Sequence, residues 1–440
     1  MKKRLCLALT ALLLLTALSG CGAIRKKPEI TLNIKTTILQ MDNPIDSAIA
    51  DSYTMLLKAG ELFAKQYEAA NVHFEVSQFE MAREDEEITG CFDTEDAVDV
   101  LYEGYFNMST YIHTGRVVPL DDIISDALRA DIGQHYWDLS TVDGKTYMMP
   151  YLSLQNVMCY NKDMFRQAGL DAFISDGAEI QSWTLDEWQS ILAALRETLP
   201  GTSYPMFMYA ASEQGDTHIM TLLRSHGSSF FDESGRVRIN TPEGIAALQW
   251  LRDCNDALYF PTNSEMLVLL DNNALFTDNQ LGIYVTNLTM TPYYADEGID
   301  LGYVNFPSLD GVGYSTSFVT GFEVFDNGDA VRTQAAKDFV KFIYESDWLD
   351  YSISGIPVSD SISAQYAHEL EEFASYIDNS PTSVDFTSNQ PNWRGVRAVF
   401  HKHIQDLLYG EKSVEQVAEE LDADCNAAIE EGYLESVLHE

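Results

Sequence analysis

Strand-like and helix-like segments alternate along this chain, and this alternation limits its possible folds more than any other feature. Apolar and polar residues take turns at residues 30–37 and 72–79, as they do in half-buried strands, and residues 98–102 form a short apolar run. A helical pattern at residues 53–67 separates the first two strands. This order of elements predicts an α/β fold built on a sheet of parallel strands.

The second half of the chain repeats this order. Residues 184–187 match a capping box, which predicts a helix ending near residue 199, and Thr241 followed by Pro242 predicts the start of another. The remaining predicted elements are strands at 281–285, 301–306 and 318–325 and two C-terminal helices at 393–408 and 413–431.

The length of the chain predicts two domains. Its 440 residues exceed the roughly 250–300 at which a single hydrophobic core stops growing. No Pro/Ser-rich linker separates the two halves. We therefore expect two lobes joined by strands that cross between them.

The first 21 residues have the pattern of a secretory signal. A basic start is followed by an apolar run at residues 5–18, which is shorter than the roughly 20 residues that span a bilayer. The run ends in Leu18-Ser19-Gly20-Cys21, which resembles the lipobox of bacterial lipoproteins. This resemblance implies removal of residues 1–20, a lipid on Cys21 and a tether at 21–29, so we expect an extracytoplasmic protein anchored to the cell membrane. An ordinary secretion signal with an incidental cysteine is the alternative.

Charge and cysteine content narrow the classes of partner. The formal net charge of −41 disfavours nucleic acid and anionic lipid as partners. The densest acidic run, at residues 80–96, lacks the alternating Asp/Asn and Gly of a calcium loop and is predicted to be a solvated loop. Four further cysteines are Cys91, Cys159, Cys254 and Cys425, and no C-x-x-C pair joins them. They are predicted to be small buried side chains, or at most to form one disulfide.

Sequence motifs of enzymes are missing. The chain has no H-E-x-x-H, G-x-S-x-G, Walker or Rossmann glycine motif. His401 and His403 are two residues apart on a predicted helix and cannot share a metal. We therefore predict no cofactor, no metal and no catalysis. An extracellular glycosidase stays open as an alternative, because its two carboxylates leave no sequence signature.

Several motifs together resemble a known family. Residues 143–150 (DGKTYMMP), 160–165 (YNKDMF) and 182–188 (SWTLDEW) are similar to the carbohydrate-binding group of solute-binding proteins of bacterial ABC importers, the group that includes maltose-binding protein. Further matches, in the family's order, lie at 99–102, 115–120, 239–244, 335–340, 355–358 and 393–410. Together they cover nearly all of the chain that follows the signal.

The resemblance implies a two-lobed periplasmic-binding-protein-like α/β fold, with a ligand cleft between the lobes and hinge strands. It implies an N-lobe made of residues 30–150 and 318–355. The C-lobe would consist of residues 151–317 and 356–440.

The family also implies where a ligand binds. A sugar site needs aromatic platforms and hydrogen-bonding side chains. Trp393 matches the tryptophan that stacks on sugar in maltose-binding protein, although it could instead anchor its helix in the core. Glu103, Phe106 and Asn107 follow a predicted strand, at the sheet edge where α/β proteins bind ligands.

The remaining candidates come from the family's crossings and strand ends. Those expected to contact ligand are Gln40 after the first strand, Tyr151, Gln155 and Asn156 after the first crossing, Asn287 and Tyr293 after a later strand, Gly321 at the second crossing, and Arg397 in the first C-terminal helix. The tryptophans expected to be structural are Trp183, Trp188, Trp250 and Trp348. Tyr151 and Asn156 could instead pack or cap the hinge.

These inferences together predict a lipid-anchored, monomeric solute-binding component of an ABC importer, which captures an oligosaccharide and delivers it to a membrane permease. The same scaffold could hold another polar solute, such as a glycerophosphodiester or a peptide. A phosphate ligand would call for basic residues in the cleft, and only Arg394 and Arg397 are obvious candidates. A glycosidase or an adhesion lipoprotein is the more distant alternative.

Overall fold

The structure, a computed structural model, describes residues 27–37, 39–41, 45–80, 83–287 and 289–438. The predicted signal and Cys21 lie outside these residues. Within them, none of the helices is both long and apolar enough to cross a membrane.

Twelve strands lie within the described ranges. They are β1 (Glu29–Thr36), β2 (Asn71–Gln78), β3 (Val100–Gly104), β4 (Thr141–Val142), β5 (Lys145–Thr146), β6 (Met148–Asn161), β7 (Ile180–Gln181), β8 (Tyr204–Met206), β9 (Leu281–Asn287), β10 (Leu301–Val304), β11 (Thr316–Val324) and β12 (Ile356–Pro357).

Sixteen α-helices accompany these strands in the same described part of the chain. They are α1 (Ser52–Gln66), α2 (Glu84–Thr89), α3 (Met108–Ile112), α4 (Asp126–Asp131), α5 (Gln134–Leu139), α6 (Lys162–Gln167), α7 (Leu185–Thr198), α8 (Asp216–Ser225), α9 (Pro242–Asp256), α10 (Leu269–Thr277), α11 (Thr291–Asp296), α12 (Ala330–Tyr344), α13 (Asp360–Gln365), α14 (Ala374–Asn379), α15 (Trp393–Tyr409) and α16 (Val414–Leu438).

The predicted helix starts are confirmed in detail. The Thr184 hydroxyl accepts a hydrogen bond from the Glu187 backbone N–H, and the Glu187 carboxylate accepts one from the Thr184 N–H at 2.8 Å. This reciprocal pair satisfies donors at the start of α7 that otherwise have no partner. Pro242 occupies the first turn of α9, where its missing N–H leaves no hydrogen bond unmade.

The main sheet is mixed rather than wholly parallel as predicted. Its strand order is β2-β1-β3-β11-β6-β10-β7, with β9 and β12 also paired to β6 and β8 paired to β9. Strands β2, β1 and β3 are parallel, whereas β11 is antiparallel to both β3 and β6. The difference arises because β6 carries the chain out of one lobe and β11 brings it back, so the two must run in opposite directions.

Strand β6 belongs to both lobes. Its first half, including Ser153 opposite Val319, pairs with β11. Its second half pairs with β9 and β10, as Met158 does with Val285 and Val304. The fourteen-residue strand therefore links the two halves of the molecule without a break.

Two large hydrophobic cores define the lobes. The N-lobe core uses residues from 30–152 and 319–370, and the C-lobe core uses residues from 157–306 and 356–429. The N-lobe thus extends beyond the predicted end at residue 355. Val358, Ile362 and Leu370 are buried in its core, because the chain packs α13 on the N-lobe before it returns to the C-lobe.

The four tryptophans predicted to be structural pack in these cores. Trp188 is fully buried against Trp250, with ring centroids 5.0 Å apart, and Trp183 packs on Tyr160. Trp348 belongs to the N-lobe core. The cysteines that follow Cys21 are free thiols, and Cys159, Cys254 and Cys425 are buried as expected, whereas Cys91 is half-buried.

Candidate ligand-binding site between the lobes

A cavity of about 460 Å³ lies between the lobes, beside the crossing strands. Its N-lobe wall is formed by α2, the end of β3 and the 3₁₀ turn Tyr105–Asn107. Its C-lobe wall is formed by the start of α8 and the first turn of α15. The lining residues are Glu84, Glu103, Gly104, Phe106, Asn107, Asn156, Glu213, Thr217, His218, Thr316, Ser317, Phe318, Phe386, Arg394 and Arg397.

Aromatic rings form the apolar part of this surface. The rings of Phe106 and Phe318 lie 5.5 Å apart between centroids, at an interplanar angle of 47°. Gly104 lies directly against Phe318, and a Cβ atom there would come within 2.6 Å of that ring. Glycine at the end of β3 therefore lets the phenylalanine ring seat against the backbone.

Glu84 is a buried carboxyl at the start of α2. Its two oxygens accept hydrogen bonds from the Asn107 amide at 2.7 Å and from the Tyr111 hydroxyl at 2.8 Å. Burial, followed by the charge of neighbouring Asp85, raises the pKa of Glu84 from 4.5 to about 7. This carboxyl therefore titrates near neutral pH.

Glu103 is the second buried carboxyl of the N-lobe wall. It is 4% exposed, and its Oε2 has no hydrogen-bond partner among the described residues. Burial raises the pKa of Glu103 well above its usual range, and the charge of Glu84 raises it further. Burial and the neighbouring carboxyl therefore both oppose the ionisation of Glu103.

Two arginines on α15 have carboxylate partners. Arg397 Nε lies 2.5 Å from Oδ2 of Asp216, which is buried at the start of α8. Arg394 Nε lies 3.2 Å from Oδ2 of Asp85 on the opposite lobe. The positive charge on the C-lobe side is therefore already matched by carboxylates.

Three cavity residues carry buried polar atoms that have no hydrogen-bond partner within the described ranges. These atoms are Glu103 Oε2, His218 Nδ1 and Thr316 Oγ1. Burial lowers the pKa of His218 to about 4, so the imidazole is neutral. A buried polar group left unpaired costs about 1–3 kcal/mol, so the cavity favours a ligand that supplies several hydrogen-bonding groups.

Five residues expected from the sequence to contact ligand line this cavity. They are Glu103, Phe106, Asn107, Asn156 and Arg397. Asn156 is positioned by Asn287, whose amide donates to the Asn156 side-chain oxygen at 3.1 Å. Asn287 itself lies outside the lining, where its own oxygen caps the turn at Thr289 and Met290.

Trp393 is not at the cavity surface. It is 1% exposed and packs between Phe230 and Phe231, with ring centroids 6.4 Å and 6.2 Å away. The indole therefore anchors the first turn of α15 in the C-lobe core, and the role of sugar platform expected for it is not supported by this geometry. The next residue on the helix, Arg394, faces the cavity instead.

Three candidates near the crossings serve the framework. Tyr151 is fully buried in the N-lobe core, and its hydroxyl donates to the Trp348 carbonyl. Gln155 is buried and ties β6 to Ser383 and Asn379. Gly321 lies in β11 opposite Glu103, where the Met149 backbone leaves no room for a Cβ, so it serves strand pairing rather than ligand contact.

Tyr293 and Gln40 also lie outside the cavity lining. Tyr293 is 43% exposed and packs on Tyr294. Gln40 is exposed and forms a single bridge with Asp51. Both follow strands as expected, but Tyr293 lies in α11 and neither side chain lines the cavity.

The prediction that the acidic run at residues 80–96 is a solvated loop is wrong at Glu84. Glu84 and Ile88 are the buried residues of α2, and they lie four positions apart on one helix face. That spacing is the only local signal that could have revealed Glu84. Other residues missed in the sequence are those of β11 and the start of α8, which reach the cavity through tertiary packing.

A metal ion has one candidate group of ligands within the described part of the chain. His403, Asp406 and Glu420, on α15 and α16, have ligand atoms within 4.8 Å of one another. The Lys412 ammonium already lies 2.7 Å from Asp406 and 2.5 Å from Glu420. The Lys412 side chain therefore already pairs with both carboxylates of this group, and none of these residues lines the cavity.

Comparison with known proteins places the fold. The family described as bacterial extracellular solute-binding protein matches residues 47–349, more than half of the chain. A binding protein of Brucella abortus (strain 2308) is 20% identical over 325 residues, which is 72% of this chain and 76% of that protein.

Two solved structures have the same fold. The sugar-binding protein MalE of Xanthomonas citri superposes with a TM-score of 0.71 and 16% identity, over 91% of this chain and 98% of that one. The cyclic α-maltosyl-1,6-maltose binding protein of Arthrobacter globiformis gives a TM-score of 0.69 and 19% identity, over 92% of this chain and 100% of that one. With its two lobes, crossing strands and interlobe cavity, the chain belongs to the family of bacterial extracellular solute-binding proteins.

Proposed function

We propose that this protein captures an oligosaccharide in the interlobe cavity and delivers it to the permease of an ABC importer. The protein acts as a monomer, is held to the cell membrane by a lipid on Cys21 and does not transform its ligand. The relatives that bind sugar support the choice of ligand class, as does the chemistry of the cavity.

The observation that carries this proposal is the combination of aromatic rings and unpartnered buried polar atoms in one cavity. Phe106 and Phe318 offer apolar faces to the C–H groups of a sugar ring. Glu103 Oε2 and Thr316 Oγ1, buried without partners in the described structure, suit its hydroxyls. The volume falls within the range of about 300–1,000 Å³ typical of small-molecule sites.

A phosphate-bearing ligand is disfavoured by charge. Both arginines of the cavity lie beside carboxylates, Arg397 with Asp216 and Arg394 with Asp85. Binding a phosphate would place its negative charge near Glu84 and Glu103 as well. A neutral or cationic solute avoids this repulsion.

A glycosidase is the alternative that one specific observation favours. Glu84, with a pKa of about 7, has the protonation behaviour of a catalytic acid in a sugar-sized cleft. Against this, both of its oxygens already accept hydrogen bonds from Asn107 and Tyr111. We therefore expect binding without cleavage.

The decisive experiment is a thermal-shift and calorimetric screen of the protein starting at Gly22 against mono- and oligosaccharides, peptides and glycerophosphodiesters. A ligand that binds only the folded state adds about 2.7 kcal/mol of stability at a hundredfold excess over Kd. We expect shifts confined to saccharides. Shifts only with another solute would overturn the carbohydrate proposal.

Two further measurements test the remaining parts of the proposal. Chromatography of labelled oligosaccharides after incubation should show no products, and more product than protein would establish catalysis. Labelling of cells with radioactive palmitate should mark the full chain but not its Cys21→Ala variant. Label retained by the variant would remove the lipid anchor from the proposal.

A further inference from the structure

The charges that line the cavity do not balance. Three carboxyl-bearing residues, Glu84, Glu103 and Glu213, face two arginines. Each arginine already lies beside a carboxylate outside the lining. The two arginine–aspartate pairs are therefore neutral as units, and an excess of carboxyl groups remains at the surface that a ligand meets.

Among these carboxyl groups, Glu103 is the one with an unpartnered buried oxygen within the described structure. Its Oε2 is buried without a hydrogen-bond partner among the described residues, although the side chain belongs to the cavity lining. Glu84 in α2 and Glu323 in β11 are the carboxyls whose charges act on it. Glu323 is itself 1% exposed and leaves its own Oε2 without a partner in the described structure.

A single cation placed beside Glu103 would favour the ionised form of this carboxyl, which burial and the neighbouring carboxyls oppose. An ammonium group there meets one carboxylate directly and lies near a second, in a site largely removed from water. A neutral hydroxyl could satisfy one oxygen atom but would offer no charge to attract an ionised carboxyl. A metal ion is less suited, because the described residues with ligand atoms close enough to share one are those around His403.

We infer that the cavity selects a saccharide that carries a protonated amine, with Glu103 and Glu84 as the residues that recognise the ammonium group. This inference rests on the proposed function. It adds that an amino sugar binds more tightly than its neutral counterparts, and that its ammonium group lies against the N-lobe wall.

Calorimetry with three matched series of saccharides tests the inference. The probes are β-1,4-linked oligomers of glucosamine, N-acetylglucosamine and glucose, each of one to four units. We expect at least tenfold tighter binding of the glucosamine series. Repeating the titration in buffers of different ionisation enthalpy should reveal proton release, because the ammonium favours ionised carboxyls; neutral sugars should release none.

The Glu103→Gln variant separates recognition from general binding. It should lose most of the tenfold preference and still melt at or above the wild-type temperature, because the amide has nearly the shape of the neutral carboxyl and cannot ionise. Asp96→Asn, which removes one exposed charge outside the cavity, should keep the preference. If Glu103→Gln fails to fold, Glu84→Gln provides the same comparison.

The outcomes distinguish this inference from the proposed function. Neutral oligomers that bind as tightly as the amine series would overturn the amine inference alone. An unchanged preference in folded Glu103→Gln would also overturn it. If none of the three series binds, the inference is overturned. If no saccharide in the broader screen binds, the proposed function is overturned too.

Discussion

The two walls of the cavity accommodate buried charge in opposite ways. On the C-lobe side, burial raises the pKa of Asp216, but its contact with Arg397 acts against this shift. On the N-lobe side, Glu84 and Glu103 form no salt bridge with any described residue, and burial raises the pKa of each. The buried carboxyl of one wall is therefore paired with a guanidinium, whereas the charge of the carboxyls on the other wall depends on pH and on what binds.

This contrast bears on how a binding site is built. A charge pair formed within the protein orients its members before the ligand arrives. A carboxyl without a basic partner remains responsive, because a donor or a cation can change its protonation state. The C-lobe wall is thus oriented by its own ion pair. In the function we propose, the N-lobe wall supplies the carboxyls that respond to the ligand.

The largest effect is expected from removing the Trp393 side chain, which anchors α15 in the C-lobe core. Trp393→Ala should lower the free energy of unfolding by about 3–5 kcal/mol, because it leaves a cavity under the first turn of α15. Urea denaturation measures this loss, and Trp393→Phe, which keeps most of the volume, should lose less. A loss of saccharide affinity without a loss of stability would instead restore Trp393 as a sugar platform.

Breaking the ion pair directly should have a slightly smaller effect. Arg397→Met leaves Asp216 buried without its guanidinium partner, which costs about 3 kcal/mol of unfolding free energy. The matched variant on the other wall, Glu103→Gln, should be as stable as the wild type or more stable. Equal losses in both variants would show that the walls do not differ in the way described.

The pH dependence of stability sharpens the comparison. The pKa of Glu84 is about 7 in the folded protein against an ordinary 4.5, so between these pH values the folded state holds a proton that the unfolded chain releases. The contribution of this group to stability should therefore be largest below about pH 4.5 and fall by roughly 3 kcal/mol as pH rises from there to about 7.

Glu84→Gln cannot ionise and should lose less stability than the wild type between about pH 5 and pH 8. Urea midpoints measured across this interval provide the comparison. The exposed residue Glu61 supplies a control, since Glu61→Gln should follow the wild type. Parallel curves for wild type and Glu84→Gln would place the titration elsewhere.

The smallest expected effect concerns the contact between the walls. Arg394 and Asp85 are 31% and 29% exposed, so Arg394→Met should change the unfolding free energy by less than about 1 kcal/mol. The difference should shrink further at high salt. A loss of unfolding free energy as large as that of Arg397→Met would mean that the Arg394–Asp85 pair contributes strongly to stability.

Much of the fold could be predicted because its signals are local. The capping box at Thr184 and the alternation in β1 depend on residues close together in the chain. The positions of Glu103, Phe106 and Asn107 in the site could also be predicted, because ligands of α/β sheets bind where strands end.

The rest of the site depends on tertiary packing. Trp393 and Arg394 are adjacent in sequence, and only the seating of α15 on the C-lobe decides which of them faces the cavity. Glu84 gains its burial from Asn107 and Tyr111, which lie 23 and 27 positions away. No local pattern indicates such partners, so an acidic run that is exposed elsewhere conceals one buried carboxyl.

The return of β11 to the N-lobe has a consequence for how the molecule is made. Tyr102 and Thr320 meet across the β3–β11 pair although 218 positions separate them. Strand β3 can pair with β1 early, but its other neighbour, β11, comes much later in the chain, and contacts of such long range slow folding. A chain interrupted before β11 holds neither a finished N-lobe sheet nor the α15–α16 part of the C-lobe core. In such a truncated chain, cellular proteases would encounter two incomplete lobes rather than one folded domain and one absent domain.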